Sequence, residues 1–416
     1  MTPKAVLGYS GGLDTSVMIH WLKANHHVDV VCVLVDVGQP LTNLDDAVSR
    51  AKKNGAAKVV VVDAKEEFAN DFVAPTLKAN AMYEDVYPLA TSIARPLIAK
   101  HLVRVAREEG ASFIAHGCTG KGNDQVRFEV TIRALAAATM SRRADASGDA
   151  SSAPDLKVIA PLREWTMTRA QEIEYAAKHG ILIPDVARKS EFSTDENLWG
   201  RSVEAGVLED PGNEVVEEAY AWTTSPLEAP DAPETVAIGF EKGVPVSVDG
   251  KRLQLAELVA HLNRVAGAHG VGRIDHVENR LVGIKSREVY EAPAAVALIT
   301  AKKALEALTL TRDVAHYKTQ LEDKFAELAY DGLWYSPLRE AISAFLDHVN
   351  QHVTGEVTLK LYKGAVSLAG RSAPRSLYTK HLATYDVGDT FNHQSAAGFI
   401  DIWGLPLANA ARVRKE

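Results

Sequence analysis

The sequence has little of what marks secreted, membrane-spanning or zinc-binding proteins. Its 416 residues include two cysteines, Cys32 and Cys118, which provide neither a disulfide framework nor a zinc-ligand spacing. No run of about 18 apolar residues occurs, and strand-like sequence begins almost at once, so we expect neither a membrane span nor a signal peptide. A formal net charge of −8 argues against the basic surface that non-specific nucleic-acid binding needs. These absences favour a cytoplasmic protein that binds neither membranes nor nucleic acids.

The two most familiar nucleotide-binding patterns are missing as well. The Walker A spacing G-x-x-x-x-G-K-[ST] does not occur, and neither does the dinucleotide pattern G-x-G-x-x-G. Residues 9–16 instead read Y-S-G-G-L-D-T-S and lie between the apolar run 5–7 and the apolar segment 17–22. Glycines let the backbone approach an anion, and hydroxyls and the first N–H groups of a helix donate to it. We predict a strand, a loop for the pyrophosphate end of ATP, and a helix; the alternative is an ordinary glycine turn.

The first 185 residues alternate between short β-branched runs and helical patterns. The runs begin near Ala5 and continue at 28–37, 58–62, 112–115 and 156–159. Helical patterns cover 44–51 and the segment that we expect to start at Pro96 and end at Gly110. This alternation predicts an α/β domain with a doubly wound parallel sheet. Because ligands bind at the carboxyl ends of such strands, the loops after the first, second and fourth strands should face one crevice.

The rest of the chain has an α+β texture. We expect a solvated loop at 141–154 and irregular sequence at 190–233, followed by hairpins at 234–248 and 356–368 and helices at 254–266, 294–330 and 337–351. The end, 395–416, is helical in pattern but interrupted by Gly404 and Pro406, and we expect it to dock on a neighbouring subunit. The predicted domains are residues 1–185, 186–385 and a tail at 386–416.

Two further loops carry an unusual density of polar residues. The stretch 116–127, H-G-C-T-G-K-G-N-D-Q-V-R, follows the fourth strand. Either Asn123 or Asp124 could cap a helix predicted at 126–137, but a cap explains none of the other polar residues, so we predict a ligand loop. In the stretch 87–96, Thr91 and Ser92 either cap the helix that Pro96 begins or contact a ligand.

Several strings together resemble known enzymes. S-G-G-L-D-T-S at 10–16 is similar to the pyrophosphate loop of the N-type ATP pyrophosphatases, which other adenylating enzymes share. The strings at 87–96, 115–129, 206–211 and 269–291 resemble the argininosuccinate synthase family, and the resemblance covers nearly the whole chain. It implies an adenine nucleotide alpha-hydrolase-like domain, a larger α+β synthetase domain and a C-terminal oligomerisation tail, assembled as a homotetramer.

The activity implied by the resemblance is an ATP-dependent carbon–nitrogen ligation. The ureido oxygen of citrulline attacks the α-phosphorus of ATP and gives a citrullyl-adenylate and pyrophosphate. The amine of aspartate then displaces AMP and gives argininosuccinate, the penultimate step of arginine biosynthesis and a step of the urea cycle. ATP is thus a substrate, and Mg²⁺ accompanies it. No residue of this chain is assigned as a metal ligand.

The resemblance also implies a residue set for each substrate. For ATP these are Gly8, Tyr9, Ser10, Gly11, Gly12, Leu13, Asp14, Thr15, Ser16, Val35 and Gly117. For citrulline they are Tyr87, Ser92, Asn123, Arg127, Ser193, Ser202, Glu278 and Tyr290. For aspartate they are Thr119, Asn123 and Asp124.

Candidate catalytic residues are Asp14, Lys121 and Asp124. We hypothesise that Asp14 orients magnesium–pyrophosphate, because it lies within the phosphate loop. Asp124 should receive the aspartate ammonium and help present a neutral amine; Asp124→Ala would then spare adenylate formation and raise the aspartate requirement. Arg127 can bind a carboxylate through two N–H groups, and Glu278 can accept from an ammonium.

Some features depart from the family pattern, and two other functions remain as alternatives. Position 118 is Cys where the family usually has Ala, and the 141–155 connection is longer than usual. His116 fits a buried histidine at a strand end as well as an adenine neighbour, and His348 with His352 is most simply a surface pair. A tRNA thiolase would need a basic face and usually a cysteine pair. A nucleotide-sensing protein without turnover would need fewer polar loops.

Overall fold

A computed structural model describes residues 2–39, 44–147, 156–165, 167–185 and 192–414, with the backbone alone at 139–147. Its first part contains five parallel strands in the order β3-β2-β1-β4-β5, as the alternating sequence predicts. In register, Val6 of the central strand pairs with Val31 and Ile114 on its two sides. The strands are β1 (Lys4–Gly8), β2 (Asp29–Asp36), β3 (Lys58–Asp63), β4 (Phe113–Ala115) and β5 (Lys157–Ile159).

Helices cover both faces of this sheet. Alternate residues of each strand point to opposite faces, so Val6 and Val31 belong to one apolar core while Leu7 and Cys32 belong to the other. The sheet is therefore doubly wound. The helices are α1 (Leu13–His26), α2 (Leu44–Lys53), α3 (Lys65–Phe68) with a π-helical turn (Ala69–Val73) leading into α4 (Ala74–Lys78), α5 (Ala90–Glu108), α6 (Asp124–Ser147), α7 (Pro161–Glu164) and α8 (Arg169–His179).

The predicted start of α5 at Pro96 is wrong. The helix begins at Ala90, and Pro96 lies inside it, so Thr91 and Ser92 are first-turn residues and not caps. The hydroxyl of Tyr87 accepts from the backbone N–H groups of Thr91 (2.9 Å) and Ser92 (3.4 Å) and takes the role of the cap. Proline removes only one helical hydrogen bond, and the buried apolar side of the helix outweighs that loss.

The predicted loop at 141–154 is wrong over 141–147, because α6 continues to Ser147. The segment after residue 137 is rich in alanine and arginine and contains neither glycine nor proline before Gly148, so nothing in the sequence stops the helix. The remainder of that prediction, together with most of the longer 141–155 connection, lies outside the described residues.

The second part contains two antiparallel sheets, in the orders β10-β9-β8-β13-β14 and β11-β12-β7-β6. The hairpins predicted at 234–248 and 356–368 are present in the first of them. The strands are β6 (Ser193–Asn197), β7 (Gly200–Glu204), β8 (Glu234–Glu241), β9 (Val244–Val248), β10 (Lys251–Arg252), β11 (Arg273–Asn279), β12 (Lys285–Glu291), β13 (Gly355–Tyr362) and β14 (Ala365–Ser372).

Two expectations for the second part need correction. The stretch 190–233, predicted to be irregular, contains β6 and β7; β6 reads S-T-D-E-N and gives no apolar alternation to detect. The helical pattern 294–330 is two helices, which meet at Leu310 and Thr311. The helices are α9 (Leu255–Ala268), α10 (Pro293–Thr309), α11 (Arg312–Tyr330) and α12 (Pro337–Asn350).

Helix α13 (Lys380–Ala383) ends just before the predicted tail, and the tail contains α14 (His393–Val413). The expected interruption at Gly404 and Pro406 is wrong, since α14 runs through both residues. None of its residues is buried, and its exposed side chains include Phe399, Trp403 and Leu407. No helix in the described ranges is long and apolar enough to cross a membrane.

A buried ion pair joins β7 to β12. Glu291 is fully buried and accepts from Arg201 Nη1 at 2.7 Å. It also accepts from the backbone N–H groups of Ala221, Trp222 and Thr223 at 2.8–2.9 Å. These contacts hold the sheet that carries Ser202 and Tyr290, two predicted citrulline contacts.

We expect Glu291→Ala to lower the free energy of unfolding by about 3–5 kcal/mol, because the buried Arg201 guanidinium is left with its longer 3.6 Å ion pair with Glu196 and three backbone N–H groups lose their acceptor. Glu241→Ala is the matched control, since Glu241 pairs with Arg252 in full solvent contact and should leave the unfolding midpoint almost unchanged. Urea denaturation followed by circular dichroism measures both. Equal midpoint shifts in the two variants would contradict the structural role of Glu291.

Candidate functional site

One cleft of about 370 Å³ opens at the carboxyl ends of β1 and β4, where the first part faces the β11-β12-β7-β6 sheet. Residues predicted for all three substrates line it together. They are Ser10, Asp14, Tyr87, Gly117, Thr119, Asn123, Asp124, Arg127, Ser193, Ser202, Glu278 and Tyr290.

The phosphate loop joins β1 to α1. Gly11 has a left-handed backbone (φ +79°), and a Cβ there would lie 3.2 Å from the side chain of Ala47. The Ser10 hydroxyl accepts from the Gly12 N–H at 3.3 Å and lies 3.1 Å from the hydroxyl of Thr15. Small residues and local hydroxyl contacts therefore hold the N-terminus of α1 open towards the cleft, as an anion-binding loop requires.

Other residues predicted for ATP support this loop from behind. The Tyr9 hydroxyl lies 3.2 Å from the Ser16 hydroxyl, and both side chains are buried. Leu13 is buried at the start of α1, Gly8 ends β1, and Val35 is buried near the end of β2. None of these five residues lines the cleft.

Gly117, after β4, packs against α1. A Cβ at this position would lie 3.3 Å from both Thr15 Cγ2 and Met18 Cε, so glycine lets the two loops approach closely. Arg50, which the sequence reasoning missed, donates from Nη2 to the Gly11 carbonyl at 3.0 Å. The sequence gives little indication of this contact, because Arg50 is one of several basic residues on α2.

Two carboxyl groups meet beside the phosphate loop. Asp14, in the first turn of α1, is hydrogen-bonded to Glu172 of α8, which is 3% exposed. Burial and the Asp14 charge raise the pKa of Glu172 to about 8. A divalent cation would relieve this repulsion, and oxygen ligands next to a phosphate loop are what Mg²⁺ prefers. The donor set therefore fits magnesium bound together with a nucleotide.

The second glycine-rich loop carries a charged pair at its end. Asp124, the first residue of α6, accepts from Arg127 Nη1 at 2.8 Å and from Arg95 Nε at 2.9 Å. Burial alone would raise the pKa of Asp124, but the two guanidinium groups outweigh burial and lower it. Arg95 also forms an ion pair with Asp195 of β6. These pairs join both parts of the chain at the floor of the cleft.

The predicted citrulline residues Glu278 and Tyr290 are in direct contact. The Tyr290 hydroxyl donates to Glu278 Oε2 at 2.6 Å, and its ring stacks on Tyr87 with centroids 4.2 Å apart. Glu278 is 4% exposed and forms no ion pair with any residue in the described ranges. A buried anion without a cation, facing an open cleft, is suited to bind a ligand ammonium.

Arg127 offers the complementary charge. Its Nε donates to the Tyr330 carbonyl at 2.8 Å, while its Nη2 is buried and has no hydrogen-bond partner among the described residues. A buried guanidinium N–H that points to no acceptor is costly unless a ligand supplies one. A carboxylate is the ligand group that matches it best.

Of the four remaining predicted residues, two line the cleft and two do not. Ser193 and Ser202 line the cleft from β6 and β7, and the Ser202 hydroxyl lies 3.5 Å from the Asp195 carbonyl. Ser92 is buried in α5 behind Tyr87 and does not line the cleft. The Lys121 side chain is exposed outside the cleft, although its carbonyl accepts from Arg280 at 3.4 Å.

Several cleft residues were missed by sequence reasoning. Arg280 pairs with Glu204 and Glu288, and burial with the charges of Glu204 and Glu278 raises the pKa of Glu288 to about 9. Arg280 and Glu288 lie within the 269–291 string that resembles the family, so the sequence could have indicated a role for both residues in the site. Thr91 lines the cleft, in line with the ligand-contact alternative given for it. The cleft residues to which the sequence assigned no individual role are Arg95, Cys118, Gly122, Thr194, Asp195, Glu204, Arg280 and Glu288.

Of the three histidines named in the sequence analysis, one is buried and two are exposed. His116 is buried and accepts from the Cys118 N–H at 3.3 Å while its ring stacks on Phe128, so the buried alternative is confirmed. His348 and His352 are both exposed. Within the described part of the chain, no group of three or more histidine, cysteine, aspartate or glutamate side chains could hold a metal ion.

Comparison with known proteins matches the whole chain. A family model described as the arginosuccinate synthase N-terminal HUP domain covers residues 4–141 and 143–182, and the corresponding C-terminal domain model covers 192–410. The argininosuccinate synthase of Symbiobacterium thermophilum is 55% identical over 413 residues, 99% of this chain and 98% of that protein. Those of Geobacillus kaustophilus and Dehalococcoides mccartyi are 54% and 53% identical, each over 100% of this chain and 97% of its own.

Proposed function

The chain belongs to the argininosuccinate synthase family, and we propose that its cleft joins citrulline to aspartate at the expense of ATP. The ureido oxygen of citrulline attacks the α-phosphorus of ATP, forming a citrullyl-adenylate and releasing pyrophosphate. The aspartate amine then attacks the activated carbon and releases AMP. One observation carries the proposal: a phosphate loop, an unpaired buried anion and a buried guanidinium with a free N–H group converge on one cleft.

ATP binds with its pyrophosphate end at the N-terminus of α1. The Ser10 and Thr15 hydroxyls and the backbone N–H groups of Gly11 and Gly12 donate to phosphate oxygens. Asp14, with Glu172 beside it, would hold Mg²⁺, which supplies charge neutralisation for the departing pyrophosphate. Val35 and Gly117 flank the nucleotide from the ends of β2 and β4, the two strands on either side of β1.

Citrulline is held by the two charged groups on its α-carbon. Its ammonium donates to Glu278, and its carboxylate accepts from Arg127 Nη2, with Tyr87, Ser193, Ser202 and Tyr290 around the side chain that leads to the ureido group. This fixes the ureido oxygen relative to the phosphate loop, so the first step becomes a reaction between positioned groups. No covalent enzyme intermediate is needed.

Aspartate binds over the second loop through Thr119, Asn123 and Asp124. Each oxygen of Asp124 already accepts from one arginine, and each keeps a lone pair for the aspartate ammonium. A carboxylate with a lowered pKa is a weak base, so Asp124 binds this ammonium and is poorly suited to remove its proton. Lys121 stays a candidate catalytic residue only if the second loop changes conformation on binding.

The tail suits assembly. The apolar side chains of α14 are exposed in the single chain, and a neighbouring copy would bury them. We propose a cytoplasmic homotetramer in which the tail at 386–416 docks on another subunit, with residues 1–185 binding ATP and 186–385 carrying most of the amino-acid contacts. Sedimentation equilibrium gives the number of subunits in assemblies of the full chain and of a chain that ends at residue 385. We expect fewer subunits for the shorter chain, and the same number in both would contradict docking through the tail.

One assay tests the function. ATP, citrulline and aspartate are supplied with Mg²⁺, and AMP, pyrophosphate and argininosuccinate are measured. Label on the ureido oxygen of citrulline should appear in AMP. Release of orthophosphate, retention of the label in the condensed product, or a requirement for tRNA would refute the proposal.

A further inference from the structure

Tyr330 lies behind the cleft, at the last residue of α11, and is fully buried. Its ring stacks on Tyr83 with centroids 3.5 Å apart and planes 4° from parallel. On the same ring the guanidinium of Arg127 lies 4.7 Å from the centroid. Stacking and cation–π contacts fix the ring, so its hydroxyl has one position.

The Tyr330 hydroxyl joins the two amino-acid subsites. It donates to Glu278 Oε1 at 2.6 Å and accepts from Asn123 Nδ2 at 2.7 Å. Asn123 Oδ1 accepts from the Leu281 N–H at 2.8 Å, which fixes the amide with its NH₂ group towards Tyr330. Since the amide can only donate here, the single phenolic proton is committed to Glu278.

Glu278 is thereby held on both sides. Tyr290 donates to one of its oxygens and Tyr330 to the other, each at 2.6 Å. Burial and the charge of Glu278 raise the pKa of Tyr330, so the phenol stays protonated as a donor. With both oxygens fixed, the remaining lone pairs have set directions for an incoming ammonium.

We infer that Tyr330 is a positioning residue that orients Glu278 to bind the α-ammonium of the ureido substrate and couples this subsite to Asn123. The inference rests on the proposed function. It assigns no contact between Tyr330 and substrate. It requires instead that loss of the Tyr330 hydroxyl weaken binding of ureido substrates that carry an α-ammonium and leave binding of ureido substrates without one unchanged.

Tyr330→Phe tests the inference because it removes one oxygen and keeps the ring between Tyr83 and Arg127. We expect the citrulline KM in citrulline-dependent ATP–pyrophosphate exchange to rise by about 10–100-fold, since a hydrogen bond to a charged group is lost, with a smaller change in kcat. Tyr317→Phe is the matched control, because Tyr317 lies on the same helix and is 53% exposed. Its KM should be unchanged.

A substrate analogue separates positioning from general damage. 5-Ureidopentanoate lacks the α-amino group of citrulline, so its KM should be high in the unaltered enzyme and insensitive to Tyr330→Phe. Glu278→Gln should also raise the citrulline KM, and Tyr330→Phe should add little in the double variant. Equal losses with both substrates, additive effects, or loss of folding in Tyr330→Phe would overturn the inference. Absence of any citrulline-dependent exchange in the unaltered chain would refute the proposed function instead.

Discussion

Arg127→Lys should raise the citrulline KM by about 10²-fold or more, because three directed N–H groups are replaced by one mobile ammonium. In the chain, Arg127 uses Nε for the Tyr330 carbonyl and Nη1 for Asp124, while Nη2 has no partner among the described residues and is the proposed contact of the citrulline carboxylate. A lysine donates from a single nitrogen, which cannot take the places of the three guanidinium nitrogens at once. The measurement is the citrulline dependence of ATP–pyrophosphate exchange.

The control for Arg127→Lys is Arg104→Lys. Arg104 lies on α5, pairs with Glu108 four residues on, and is half exposed, so the same substitution should leave the citrulline KM unchanged. Circular dichroism of both variants shows whether either has lost its fold. A citrulline KM that does not respond to Arg127→Lys would exclude Arg127 as the carboxylate contact.

The parallel sheet and its loops could be predicted from the sequence because their signals are local. Strand β2 is a continuous apolar run rich in valine between two aspartates, and the phosphate loop places two glycines between a strand and a helix. Once a parallel sheet is predicted, the carboxyl ends of its strands must share an edge, which brings Asp14 and Gly117 together. This explains why residues far apart in sequence could be expected to meet in one cleft.

The residues that were missed are defined by long-range contacts. Tyr330 acts through Glu278, 52 residues away, and Glu172 through Asp14 on another helix. Neither lies in a motif. Arg95 lies within the 87–96 stretch, but its two acidic partners come from α6 and β6, so only the three-dimensional structure shows its role.

The predicted helix boundaries are wrong where they depend on a single proline. The sequence predicts that Pro96 starts a helix and that Pro406 interrupts one, yet both residues lie inside helices. A proline removes one hydrogen bond, whereas the turns on either side contribute several, and in α5 most side chains around it are buried. Tertiary packing decided the outcome in α5, and local propensity did not.

Asp14→Asn should slow citrulline-dependent ATP–pyrophosphate exchange by about 10²–10³-fold, as expected when a group that stabilises the charge of a leaving pyrophosphate is removed. The effect should fall on kcat and on the Mg²⁺ requirement, since the amide oxygen carries no charge to hold the cation. Asp45→Asn is the matched control, because Asp45 is an exposed carboxylate in the first turn of α2. An exchange rate that survives Asp14→Asn would remove Asp14 from the reaction.

The same variant should change how stability depends on pH. The folded chain raises the pKa of Glu172 to about 8, so Glu172 is more easily protonated in the folded than in the unfolded state. Its contribution to stability is complete below the ordinary glutamate pKa of 4.5 and is lost progressively as the pH rises from there to about 8, where a second negative charge forms next to Asp14 in the folded chain. Asp14→Asn removes the first of those charges and lowers the pKa of Glu172. The fall in melting temperature of the ligand-free chain between about pH 5 and pH 9 should therefore be smaller in Asp14→Asn than in Asp45→Asn, and equal falls would contradict the contact between Asp14 and Glu172.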